Sequence, residues 1–288
     1  MSMPETVAPA AEAPFVETWM NFAGDIQGRA RVDVPDWSRT NLVLDKHDVR
    51  IFDGRAGRDD LDFDREGFRL LDHESIIAAD TDLAAEGPAY LDTVAGLLKE
   101  ASGADFVLAQ GTGLLKRHAE RAKVEGAIGP SRWAHMDYTS YSAHKWVEWI
   151  EGWQGVELRR YPRFAVFQTW RCLSPGPQDN TLVLCDASTI SPEGLIVFDA
   201  CMRKPYDGPG NQFESQLCRY DPDQRWLYFP NLTPNELIVF KAFDSAPGWN
   251  AQPLHNSADI PGLPEDAAPR ISVEARFFAF WGDARQAE

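Results

Sequence analysis

Between residues 163 and 281 the chain repeatedly presents a short apolar run followed by a turn. The runs are Phe164–Arg171 (FAVFQTWR), Thr181–Asp186 (TLVLCD), Trp226–Phe229 (WLYF), Leu237–Phe243 (LIVFKAF) and Ile271–Trp281 (ISVEARFFAFW). Clusters rich in Pro, Gly, Asp and Asn separate them: SPGPQDN, KPYDGPGN, YDPDQ and SAPGWNAQP. Runs of this length, rich in β-branched and aromatic residues, read as strands and the clusters as turns. No regular strand–helix alternation supports a Rossmann sheet. The expected fold is mainly β with flanking helices, an antiparallel sandwich or barrel with helices packed outside.

The N-terminal half reads differently. Residues 1–14 are rich in Ala and Pro and are expected to form a mobile tail. A segment dense in Asp, Arg and Gly follows from Asp45 to Ser75, with a patterned piece at Phe63–Leu71. Leu91, Val94, Ala95 and Leu98 then recur at helical spacing, opened by Gly87-Pro88 and closed by Gly103. A strand is predicted over Asp105–Gln110, a long connection over Gly111–Pro130, and a second helix over Ser142–Glu151, stopped by Gly152. Residues 15–288 are therefore expected to form one domain with an N-terminal α/β elaboration.

The charge balance narrows the partners. Forty-four acidic against 28 basic residues leave a net charge of −16, a surface that repels phosphate backbones. Nucleic acid is not an expected partner. No run approaches the ~20 apolar residues that span a bilayer, so no membrane partner is expected either. No Lys or Arg precedes Arg29, so the basic start of a secretory signal is missing and a cytoplasmic location is expected. Cys172, Cys185, Cys201 and Cys218 form no Cys-x-x-Cys pair and read as buried thiols. A homo-oligomer stays open.

Familiar phosphate and hydrolase motifs are absent. Gly111-Thr112-Gly113 lacks the third glycine of a dinucleotide fingerprint and the Gly-Lys-Ser/Thr of a P-loop. There is no Gly-x-Ser-x-Gly elbow. Two of the six histidines begin a His-x-acid triplet, His118-Ala119-Glu120 and His135-Met136-Asp137. His118 lies in a charged stretch (KRHAERAKVE) that reads as a solvated face. His135 lies in Trp133–Tyr138, which alternates like a strand, so His135 and Asp137 point the same way. Such a pair plus one more histidine makes a 2-His-1-carboxylate triad, which leaves positions open on ferrous iron. His255 is the favoured third ligand; His144 competes but falls on the second predicted helix, close after Asp137. Arg270-Ile271-Ser272 follows His255 by fifteen residues. An Arg and a Ser on one strand face can clamp a carboxylate, which is what 2-oxoglutarate presents while its keto-acid end chelates a metal.

With these residues in place, the chain resembles the Fe(II)/2-oxoglutarate-dependent dioxygenases related to the cephamycin hydroxylase component and to fungal polyketide and meroterpenoid oxygenases. The resemblance runs from about His47 to Trp281. It is carried by Asp64–Phe68, His135–Thr139 with Ser142-Ala143, and Thr169–Arg171. It continues through Gln178–Leu182, Cys185–Ser188, Phe240–Ser245, Leu254-His255 and Arg270-x-Ser272-Val273-Glu274-x-Arg276. The resemblance implies a double-stranded β-helix, a cupin-like jelly roll with iron at its mouth, and His135, Asp137 and His255 as ligands. It implies 2-oxoglutarate and O2 as cosubstrates, and a small molecule, a secondary metabolite or amino-acid derivative, as substrate. Hydroxylation, desaturation or cyclisation by C–H abstraction is the implied chemistry. Gln168 stands where the family tends to carry Asn, and the wording after His255 (NSADIPG) departs from the family's.

Strand alternation pairs Gln168 with Trp170 and Thr169 with Arg171 on opposite faces, and puts Arg270, Ser272, Glu274 and Arg276 on one face. Gln168 is a candidate cosubstrate contact and Arg276 a fallback carboxylate clamp. Tyr138, Thr139, Trp170 and Arg171 are candidate substrate contacts, with core packing the alternative for Trp170 and a structural ion pair for Arg171. Lys241 and Asp244 read as structural. Rival readings are a ferrous oxidase without 2-oxoglutarate, a zinc hydrolase, and a non-catalytic β-sandwich that binds small molecules or carbohydrate.

Overall fold

The computed structural model describes residues 14–111, 114–119, 129–204, 211–248 and 250–282. The expected tail therefore lies outside the described residues except for Pro14, as do Gly113, Glu120 and most of the turn KPYDGPGN. In chain order the strands are β1 (Phe15–Ala23), β2 (Ala30–Asp33), β3 (Leu44–Asp53) and β4 (Phe68–Asp72). Helix α1 (Leu83–Ser102) follows, then β5 (Phe106–Ala109), β6 (Leu115–His118) and β7 (His135–Met136). Helix α2 (Ser140–Gln154) precedes β8 (Arg163–Cys172), β9 (Asn180–Cys185), β10 (Leu195–Cys201) and β11 (Gln212–Cys218). The chain closes with β12 (Trp226–Tyr228), β13 (Glu236–Asp244), β14 (His255–Asp259) and β15 (Ile271–Trp281).

The strands form two sheets. One has the order β1-β3-β12-β9-β14-β7-β11-β10-β2, the other β4-β13-β8-β15-β5 with β6 also on β15. Alternation along β8 shows how they stack. Trp170 and Cys172 pack with Leu182 and Leu184 of β9 and Leu227 of β12, between the sheets. Ala165 and Phe167 face the other way, against Tyr90, Leu91, Val94 and Leu98 of α1. A second helix layer, Ala143, Val147 and Ile150 of α2, covers Phe164, Phe278 and Phe280. The five C-terminal strands expected from the sequence are all present as β8, β9, β12, β13 and β15. They are apolar on both faces because both faces are covered.

Several boundaries are corrected. Helix α1 starts at Leu83, not at Gly87-Pro88, because the Asp82 side chain accepts from the Ala84 N–H and caps it; Pro88 lies inside. Helix α2 runs through Gly152 to Gln154. Thr139 and Ser142 form a capping box at its start, and Gly155 takes the left-handed conformation that ends it, at φ 66°. The stretch Trp133–Tyr138 is a strand only at His135–Met136. Within the expected connection Gly111–Pro130, residues 115–118 pair with β15. Strands β1 and β3 pair along their full registers from Phe15↔Phe52 to Ala23↔Leu44. Among the described residues no helix is long and apolar enough to cross a membrane.

Candidate metal and cosubstrate site

The site begins at a cross-strand pair. His255 of β14 stands opposite His135 of β7 in the antiparallel register, which brings side chains to within ~5 Å at Cβ. Their rings lie 4.1 Å apart between centroids. Asp137, two residues beyond His135, turns its carboxylate to the same place, with Oδ1 3.4 Å from His135 Nε2. Ligand atoms of His135, Asp137 and His255 all lie within 4.8 Å of one another.

The protonation states suit a cation. His135 Nδ1 is 2.8 Å from the Trp133 carbonyl oxygen. That oxygen can only accept, so Nδ1 donates to it and Nε2 is the nitrogen that faces the site. Burial, and then the neighbouring His135, hold His255 well below its ordinary pKa, so it is neutral. Its Nδ1 is buried without a hydrogen-bond partner. For Asp137, burial works to raise the pKa, but Arg276 and His135 outweigh it and hold the carboxyl well below the usual range. Two imidazoles and one carboxylate are a donor set that fits ferrous iron, or another divalent transition metal.

These residues line one wall of a cavity of about 410 Å³. Arg270 reaches into it from the residue just before β15, with Gln168, Trp170, Asn256 and Phe240 around it. Arg270 is 2 % exposed, and its guanidinium lies 5.7 Å over the Trp170 ring. Its Nε and Nη2 have no hydrogen-bond partner, and neither has the buried Ser272 hydroxyl. Burial pushes the Arg270 guanidinium down to about 10. A buried cation with unmade hydrogen bonds facing a cavity is a socket for an anion, and a carboxylate fits it.

The lining also includes the apolar side chains of Val32, Trp133, Trp146, Phe198, Met202 and Phe213. A chain of charged groups shares the lining. Arg117 of β6 grips Glu274 of β15 with two hydrogen bonds, of 2.9 and 3.0 Å. Arg276 contacts Glu274 at 3.5 Å and donates a short hydrogen bond from Nη2 to Asp137 Oδ2.

The structure gathers His135, Asp137, His255, Arg270, Gln168, Trp170, Tyr138 and Arg276 around this cavity. It sends the others elsewhere. Thr139 does not line the cavity, because its side chain caps α2 and bonds Glu214. Arg171 is on the far face of β8. It bonds the Tyr90 hydroxyl, the His73 carbonyl and ring, and the Pro234 carbonyl, none of them a carboxylate. Arg276 is engaged by Asp137 and Glu274, which corrects its reading as a spare carboxylate clamp. Ser272 shares the strand face but not the cavity lining. Tyr138 donates its hydroxyl to Gln110, and burial pushes its phenol up. Lys241 and Asp244 are buried and paired, with Asp64 and Arg163 as further partners. Among residues the sequence reading missed, Arg117 is the most consequential. The charged stretch around it hid the Leu115/Arg117 alternation, which puts both on the cavity face.

Comparison with known proteins agrees with this geometry. The oxidoreductase/YMDC permease-like domain family matches residues 20–280. The chain belongs to this family. A relative within reach is the Fe(II)/2-oxoglutarate-dependent dioxygenase nvfI of Aspergillus novofumigatus. It is 29 % identical over 255 residues, covering 86 % of this chain and 88 % of the relative. Hydroxylase/desaturase CTB9 of Cercospora beticola is 26 % identical over 292 residues, covering 94 % and 89 %. A solved structure of iron and alpha-ketoglutarate-dependent endoperoxidase NvfI superposes with a TM-score of 0.80 at 25 % identity, covering 95 % of this chain and all of that one. The resemblance read from the sequence is borne out at the level of family and fold: the family member described here has the jelly-roll core of an iron/2-oxoglutarate oxygenase.

Proposed function

We propose that the protein is an Fe(II)/2-oxoglutarate-dependent oxygenase of a small molecule, with His135, Asp137 and His255 as its iron ligands and Arg270 as its cosubstrate clamp. The observation that carries this reading is the coincidence of two sites in one cavity. A three-ligand cluster within 4.8 Å and a buried guanidinium with unmade hydrogen bonds share its lining. Bound iron would supply the activation of O2 that C–H abstraction needs, coupled to oxidation of 2-oxoglutarate.

The chain's own residues do the rest. His135, with Nδ1–H fixed on the Trp133 carbonyl, presents Nε2 without tautomer exchange. Arg270 holds the distal carboxylate of 2-oxoglutarate, and Trp170 stacked under Arg270 keeps that guanidinium from swinging away. Gln168, next to Arg276 in the β8–β15 register, contributes a neutral amide to the cosubstrate side. Trp133, Trp146, Phe198 and Phe213 bind the apolar body of the substrate and keep water from the reacting carbon. Strands β1, β2 and β3 belong to the same sheet as His135 and His255, which supports reading residues 15–288 as one oxygenase domain.

The test is turnover. Incubation with Fe(II), 2-oxoglutarate and O2 should yield succinate at a basal rate, and that rate should fall to background in His135→Ala and Asp137→Ala. Succinate formation that persists in both variants refutes the ligand assignment. Hydrolysis supported by Zn(II) under nitrogen would replace the oxygenase by a zinc enzyme.

A further inference from the structure

Asp137 has two carboxylate oxygens with different company. Oδ1 lies 3.4 Å from His135 Nε2, on the side of the histidine pair. Oδ2 accepts a short hydrogen bond from Arg276 Nη2. Arg276 is itself held: Glu274 Oε1 is 3.5 Å from the same Nη2. Glu274 is gripped through both oxygens by Arg117, whose Nη1 is anchored on the Gly129 carbonyl at 2.7 Å. Two guanidiniums and two carboxylates alternate along this chain, so it is electrically balanced. It sits in the lining of the cavity and not at the surface.

We infer that Arg276 is a positioning residue that restricts Asp137 to one ligating oxygen, with Glu274 and Arg117 holding it in place. The inference rests on the proposed metal centre and adds a role within it. A free carboxylate can bind a cation through both oxygens and would then occupy two coordination positions. A facial triad works only while its remaining positions stay open. Occupying Oδ2 with a fixed donor keeps the second oxygen out. A guanidinium suits the task because it stays charged at every working pH and its planar fork is fixed by its partners. The paired arrangement also explains why β15 carries Glu274 and Arg276 beyond Arg270. Both reach the cavity from the same strand face, and neither is free for a ligand.

The test uses Co(II) alone, added anaerobically to the metal-free protein, and reads the visible d–d absorption and the binding curve. A carboxylate bound through one oxygen and one bound through two give Co(II) different ligand fields, so entry of the second carboxylate oxygen in place of a water shifts the band. Arg276→Met is expected to bind Co(II) about 10–100-fold more weakly, the usual loss for a partner of a metal ligand, and to show a shifted band. Arg276→Lys, which can still donate to Oδ2, is expected to restore the wild-type spectrum. A role in folding alone would not alter the spectrum of the bound ion. A wild-type spectrum in Arg276→Met overturns the inference. So does an Arg276→Lys spectrum as far from wild type as that of Arg276→Met. If the Met protein does not fold, the Lys protein decides alone: a wild-type spectrum supports the inference and an altered one overturns it. Failure of the wild-type protein to bind Co(II) would overturn the metal centre and this role with it, whereas wild-type binding with an indifferent Arg276→Met overturns the role only.

Discussion

Replacing Arg270 by Met should stabilise the ligand-free protein while removing its affinity for 2-oxoglutarate. The two effects have one cause. Arg270 is 2 % exposed, and its guanidinium has been pushed from 12.5 down to about 10 by burial. A shift of that size is roughly 3 kcal/mol of lost preference for the charged form. Met has a similar length and carries no charge, so it fills the space without that cost. Some stabilisation is returned when the guanidinium over Trp170 is lost, about 1 kcal/mol for a cation–π contact. The net gain expected is about 1–2 kcal/mol, seen as a rise of a few degrees in Tm without cosubstrate. Binding goes the other way. Two charge-assisted hydrogen bonds to a carboxylate, at about 1.5–3 kcal/mol each, correspond to a loss of two to four orders of magnitude in 2-oxoglutarate affinity. The assays are thermal unfolding of the metal-free protein and anaerobic calorimetry of 2-oxoglutarate with metal-loaded protein. A Met variant that is less stable than wild type, yet binds 2-oxoglutarate within threefold, would refute the clamp.

Other expectations separate structure from chemistry. Arg171→Leu removes the hydrogen bonds to the Tyr90 hydroxyl and to the half-buried His73 and Pro234 carbonyls, and should cost about 1–3 kcal/mol in urea unfolding while the folded fraction binds 2-oxoglutarate normally. Thr139→Ala removes the α2 cap and should cost about 1 kcal/mol with no change in cosubstrate affinity; a tenfold weaker affinity would return Thr139 to the binding site. Asp244 is buried, which raises its pKa, but hydrogen bonds from Arg163 and the charge of Lys241 hold it below the ordinary value. A depressed carboxyl stabilises above its unfolded pKa of about 4 and loses that contribution as pH falls through the folded value. The stability gap between wild type and Asp244→Asn should therefore be constant from pH 5 to 7 and shrink below about pH 4; a gap that widens on acidification contradicts the pairing.

What the sequence made legible follows from burial on both faces. Strands β8, β13 and β15 sit between another layer and a helix, so nearly every position is apolar and the runs stand out. The edge pair β1 and β3 hides its strand character behind exposed charges such as Glu17 opposite Arg50. Strand β14 reads HNSAD because it presents polar groups to the cavity, so propensity argues against it although the register with β9 is regular. The His135–Asp137 pair was legible because alternation needs only two positions. Alternation also separated Trp170 from Arg171, but a strand apolar on both faces does not say which face meets the cavity. That depends on α1, whose Tyr90 takes the Arg171 side. Thr139 carried a readable signal of its own: a Thr three residues before Ser142 and an apolar helical stretch is a capping pattern, and it outweighs nearness to the metal pair.

The most direct measurement is an anaerobic titration of metal-free protein with Fe(II) and 2-oxoglutarate, followed by the visible charge-transfer absorption of a keto acid chelated to ferrous iron. His255→Ala and Arg270→Ala proteins run beside the wild type. The expected result is a band in the wild type at one equivalent of each component, absent in His255→Ala and weakened in Arg270→Ala at the same cosubstrate concentration. Iron bound in equal amount with no band, or a band indifferent to both substitutions, would contradict the shared site.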